Sequence, residues 1–188
     1  MDMHPMRTAK RTHVRWPALL VAAAVLLIAP FGASTALAAG STAGFGFDAR
    51  DVSGFPTGSV ALTGGGAFNV AADSVHAGGG FSCTHEVDQL FLAGCLQGQG
   101  VRWDSEAVLP TTSFKCTGGA GEAVKPATTG TDTVILQADF YRAGDANDES
   151  FTAQMIVSTQ DIAPDIQGVQ NVWVQGVGCG TATVHFGA

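Results

Sequence analysis

Residues 59–83 read SVALTGGGAFNVAADSVHAGGGFSC. Val60, Leu62 and Phe68 share one parity, and so do Val75, Ala77, Phe81 and Cys83. Apolar residues at a period of two mark half-buried strands, and NVAAD between them reads as a short turn, so the stretch predicts a β-hairpin. Each arm carries three consecutive glycines, Gly64–Gly66 and Gly78–Gly80, at mirrored places. Glycine weakens a strand and marks a bend or a close backbone approach. Bends at matched positions on neighbouring strands are how an antiparallel sheet curls shut. The expected fold is therefore all-β, a single antiparallel, glycine-bent β-barrel of about eight strands. A flat β-sandwich with loops at those glycines is the alternative.

The same alternation recurs outward from the hairpin. Leu136, Ala138 and Phe140 alternate with Gln137, Asp139 and Tyr141, while Phe151, Ala153, Met155 and Val157 alternate with Thr152, Gln154 and Ser158. Ile135 and Ile156 fall on the polar side of these strands and need cover. GVRWD and TTSFKC are two shorter strand candidates. NVWVQGVGCGTATVHF (171–186) is one long bent strand or two strands broken at GVGCG. TGGAGEAVKPATTGTD (117–132) reads as a surface loop, and residues 158–170 as a connection with one turn of helix.

Residues 1–38 stand apart. Arg7, Lys10, Arg11 and Arg15 precede a 12-residue apolar run, Ala18–Ala29, and Ala36-Leu37-Ala38 fits an A-x-A cleavage site. The run is short of the ~20 residues that span a bilayer. The expectation is a cleaved signal peptide, 1–38, and one exported domain, 39–188, secreted or held in the cell envelope. Four of the nine basic residues and one of the sixteen acidic residues lie in 1–38, so residues 39–188 carry five against fifteen, a net of −10. An acidic domain is a poor partner for nucleic acid or an anionic membrane, both of which need clustered Lys and Arg.

Cys83, Cys95, Cys116 and Cys179 are separated by 12, 21 and 63 positions, which fits no zinc pattern. An even count behind an export signal reads as two disulfides. Of the three connectivities, Cys83–Cys95 with Cys116–Cys179 is favoured, since the second bridge closes a long loop. Each bridge is worth ~2–4 kcal/mol.

The runs LTGGGAF, GGGFSC, GVRWD, FKCTGGAGEA and DFYRAGDANDESFTAQM together resemble exported bacterial β-rich proteins of unassigned activity. That resemblance implies no ligand or site residue. In size the chain is similar to lipocalin-like and dirigent-like barrels, with no sequence motif of either, which is an analogy of fold alone.

Chemistry-bearing residues are few. Asp145, Asn147 and Glu149 alternate as the first ligands of an EF-hand do, but positions six and twelve of such a loop would be Ser150 and Ile156, so that motif fails. A looser calcium site of Asp145, Asp148 and Glu149 with backbone carbonyls competes with a solvated turn, and the turn is the expectation. His76, His85 and His185 are scattered, and there is no G-x-S-x-G elbow. Acid pairs such as Asp104 with Glu106, or Asp139 with Glu149, are cheap matches in so acidic a chain. VRWDSE concentrates a cation, an indole and an anion. One reading is a ligand-binding rim of Arg102, Asp104, Tyr141 and Arg142; the other puts Trp103 in the core with Arg102 paired to an acid, and the second is expected. The leading function is an exported, non-enzymatic binding protein for a small apolar molecule or an extracellular partner. A barrel enzyme, hydrolase or isomerase, using acids at the mouth is the alternative, and a structural or surface-interaction protein without a pocket is the third.

Overall fold

The alternation read in the chain becomes ten strands in the computed structural model, which describes residues 40–142 and 150–187. They are β1 (Ala43–Gly54), β2 (Ser59–Asn69), β3 (Ser74–His85), β4 (Arg102–Val108), β5 (Thr111–Phe114), β6 (Lys125–Thr128), β7 (Thr133–Tyr141), β8 (Ser150–Ser158), β9 (Val172–Val174) and β10 (Gly178–Gly187). Eight of them close a barrel in the order β1-β10-β9-β8-β7-β4-β3-β2, every neighbouring pair antiparallel. Closure comes from β1, which pairs with β2 on one side and β10 on the other. The segment 171–186 is thus two strands, β9 and β10, broken at a turn through Gly176 and Val177.

Inward-facing side chains fill the middle of the barrel. Phe47, Leu62, Phe81, Trp103, Leu136, Phe140 and Met155 are all buried there. The glycines admit them. A Cβ on Gly64 would lie 2.6 Å from Cζ2 of Trp103, and the Trp103 indole N–H donates to the Thr63 carbonyl at 3.0 Å. Across the hairpin, Gly64 pairs with Gly79 so closely that a Cβ on Gly79 would run into the Thr63 carbonyl oxygen. These glycines are where two backbones and one large ring converge.

The cover for Ile135 and Ile156 is a second apolar cluster on the outside of the barrel. Phe114, Cys116, Ala163, Trp173 and Cys179 pack with them, flanked by Leu109, Ala127, Ile162 and Ile166. The β5–β6 ribbon and the 159–170 connection supply that layer. The stretch 117–132, expected as loop throughout, therefore contains β6: pairing with β5 and half-burial of Ala127 make a strand that its own residue pattern does not announce. The 159–170 connection contains no helix. Asp161 Oδ1 instead accepts the Ala163 and Gln170 amides and holds it as a series of turns.

Both disulfides form as favoured, Cys83–Cys95 and Cys116–Cys179. Beside the second bridge, Glu122 is 9% exposed and accepts the Cys116 and Thr117 amides, the Thr117 hydroxyl and Lys125 Nζ. Lys125 also reaches Asp165 at 3.0 Å, tying the ribbon to the 159–170 connection. Burial raises the Glu122 carboxyl, but the hydrogen bonds from Thr117, Cys116 and Lys125 outweigh it and hold the group down at about 2, against 4.5 in the unfolded chain. A depressed carboxylate contributes stability above its unfolded value and loses it as pH falls through the folded one. Glu122→Gln is thus expected to cost roughly 2–3 kcal/mol at neutral pH, read from urea melts. That difference should close between pH 4.5 and about 2. A gap that persists unchanged at the acid end would show that the charge is not what Glu122 contributes.

Candidate functional site

The residues singled out in the sequence do not assemble in one place. Arg102, Asp104 and Tyr141 meet on the outer wall, because they occupy outward positions of β4 and β7, where Arg102 lies opposite Tyr141 and Asp104 opposite Asp139. The Arg102 guanidinium sits 4.5 Å from the centre of the Tyr141 ring and 3.3 Å from the Asp104 carboxylate. Trp103, the intervening residue, points inward and is fully buried. Arg142 turns away from the other three. It donates to the Gly94 carbonyl at 2.8 Å and approaches the Phe151 ring, at the end of the barrel covered by the β3–β4 loop. Asp145, Asp148 and Glu149 lie outside the described residues.

The acids of β4 and β7 are also external. Asp139 accepts the Thr152 hydroxyl at 2.6 Å. Burial, and then the neighbouring charge of Asp139 and a hydrogen bond to it, hold the Glu106 carboxyl above its ordinary value. His85 Nδ1 shares a hydrogen bond with the Ser59 hydroxyl, 2.7 Å apart, and the His185 ring lies over Gly46. Among the described residues, no group of three or more His, Cys, Asp or Glu side chains is placed to hold a metal ion. None of the described helices is long and apolar enough to cross a membrane.

The two ends of the barrel differ, and sequence reasoning did not find this. One end is sealed by the β3–β4 loop, which buries Val87, Leu92 and Cys95 in the core and is clamped by Cys83–Cys95. Gln89 Nε2 ties that loop to the Thr57 and Gly176 carbonyls of two other turns, at 2.7 and 2.9 Å. At the opposite end β10 runs on past β9, which pairs with it only over Gly178–Gly180, and β3 and β4 part beyond Gly78, since their pairing covers only Gly78–Gly80. The inner face of that extension is apolar. Phe45, Phe68 and Phe186 form a triangle of rings with centres 6.0–6.3 Å apart. Around it Ala43, Val75, Ala77, Ala182 and Val184 are only partly buried. A depression of about 220 Å³ opens here, lined by Ser41, Thr42, Ala43, Thr131, Phe186 and Gly187. Larger depressions exist: about 370 Å³ beside His85 at the β1–β2 turn and about 320 Å³ beside His76 and Asp104, both lined mainly by polar and glycine residues, and about 330 Å³ where Leu62, Phe81 and Val101 mix with Asp48, Arg50 and Thr63. The signal for the open end was present in the chain as TATVHF, whose Ala182, Val184 and Phe186 alternate inward; what it lacked was the length of the neighbouring strands.

No family model, curated protein or solved structure matches this chain. The functional reading therefore rests on the geometry alone.

Proposed function

We propose that this chain is an exported, non-enzymatic binding protein that takes an apolar group at the open end of its barrel. The observation that carries the reading is the partly exposed apolar face of Ala43, Val75, Ala77, Ala182, Val184 and Phe186, contiguous with a depression of about 220 Å³. Leaving apolar surface in water is unfavourable by about 25 cal/mol per Å², so covering it contributes favourably to binding, against the entropy that association costs. Apolar cavities of roughly 150 Å³ already accept a benzene-sized molecule. The two buried disulfides favour an oxidising compartment outside the cytoplasm, in keeping with export.

The test is an environment-sensitive apolar dye titrated into the protein. Ala43→Phe fills the depression from its rim and should weaken dye binding about tenfold or more, ~1.4 kcal/mol, with an unchanged thermal midpoint. Dye binding that survives this filling, in a protein that melts normally, removes the open end as the site.

A further inference from the structure

The outer edge of β10 stops being paired part-way along. Asn171 marks the place: its side-chain amide brackets Ala182, accepting that residue's N–H at 2.7 Å and donating to its carbonyl at 3.0 Å. The Asn171 carboxamide thus stands in for one residue of a neighbouring strand. It also shows that the backbone groups of Ala182 point away from β1. Along an antiparallel strand these directions alternate, so the N–H and C=O of Val184 and Phe186 point to the same side. Among the described residues no strand pairs with β10 there. Their side chains turn inward, onto the Phe45–Phe68–Phe186 triangle and the depression beside it.

We infer that an extended peptide segment of a partner adds to β10 at Val184–Gly187, pairing with those backbone groups and placing an apolar side chain in the depression. This deepens the binding reading of the open end and rests on it. A row of alternating donors and acceptors two residues apart is matched by another extended backbone, and an adjacent pocket selects among side chains, the two ingredients of recognition by strand addition. Charge decides between a foreign segment and a second copy. Residues 39–188 carry five basic side chains against fifteen acidic ones. All five basic groups are engaged: Arg50 with Asp48, Arg102 with Asp104, Lys125 with Glu122 and Asp165, Lys115 with the Gly119 carbonyl and Arg142 with the Gly94 carbonyl. Two such acidic bodies repel, whereas a segment alternating apolar with basic residues is attracted.

The probe is a capped octapeptide of alternating valine and lysine, titrated into the isotope-labelled, disulfide-bonded protein and followed through backbone amide signals and their hydrogen exchange. The Val184 and Phe186 amides should shift and slow their exchange. A version of the peptide N-methylated on alternate amides should bind at least tenfold more weakly, because it cannot complete the ladder. Val184→Pro, which deletes one edge donor and spares the pairing with β1, should weaken the unmodified peptide similarly. If the peptide leaves both amides unchanged while the apolar dye still binds in an Ala43-dependent way, strand addition is wrong and the small-molecule reading stands. If neither binds, both fall. Protection of the same amides that rises with protein concentration alone would overturn the foreign segment in favour of a second copy.

Discussion

Trp103→Ala is expected to cost about 3–5 kcal/mol, a large share of the 5–15 kcal/mol that holds a typical domain together. Trp103 is fully buried, its ring centre stands 6.0 Å from that of Phe47, and its indole N–H satisfies the Thr63 carbonyl on β2, beyond the intervening strand β3. Truncation removes the largest side chain in the barrel and leaves a void, because the glycines that face it have nothing with which to refill the space. It also leaves a carbonyl without its partner. Trp103→Phe separates these effects: the ring is partly retained and the donor is lost, so a smaller loss of roughly 1–2 kcal/mol is expected. Urea unfolding of the oxidised protein measures both. A Trp103→Ala loss below about 1 kcal/mol would show that the middle of the barrel is not packed around this ring.

Gly79→Ala should be comparably severe, by the opposite route. The added methyl would run into the Thr63 carbonyl oxygen and sit 2.5 Å from the Gly64 Cα, so β2 and β3 must move apart where the two backbones approach most closely to the Trp103 ring. Backbone cannot yield as a flexible side chain does, and the expected loss is more than about 3 kcal/mol, visible as a lowered urea midpoint. Gly121→Ala is the matched control. A Cβ there meets nothing within 4 Å, so it should stay within about 0.5 kcal/mol of the parent. Equal behaviour of the two variants would remove close approach as the reason for the glycine runs.

Much of the architecture was legible because it is written at short range. Alternation identified the strands and their inward faces, the paired glycine runs implied curvature, and the apolar residues stranded on polar faces, Ile135 and Ile156, implied an outer layer. The position of β6 was not legible, since Lys125–Thr128 has no alternation of its own and becomes a strand by pairing with β5. Nor was the separation of Arg142 from Arg102, Asp104 and Tyr141. Arg102 and Tyr141 lie 39 positions apart and meet because β4 neighbours β7; Arg142 is one residue beyond Tyr141 and reaches Gly94 because the β3–β4 loop folds over that end. The candidate binding surface is a further case. Ala182, Val184 and Phe186 were read as one inward register, but whether that register is buried or open depends on how far the flanking strands extend.

The chain alone determined that this protein is a curved, antiparallel, disulfide-bonded sheet, because hydrophobic period, glycine placement and cysteine number act through each residue's own backbone and neighbours. Only the tertiary structure decided which end is sealed, which acids and cations share a wall, and where an unpaired strand edge lies beside an apolar hollow. Those properties follow from strand order and stagger, set by contacts between residues far apart in the sequence, which no local pattern encodes.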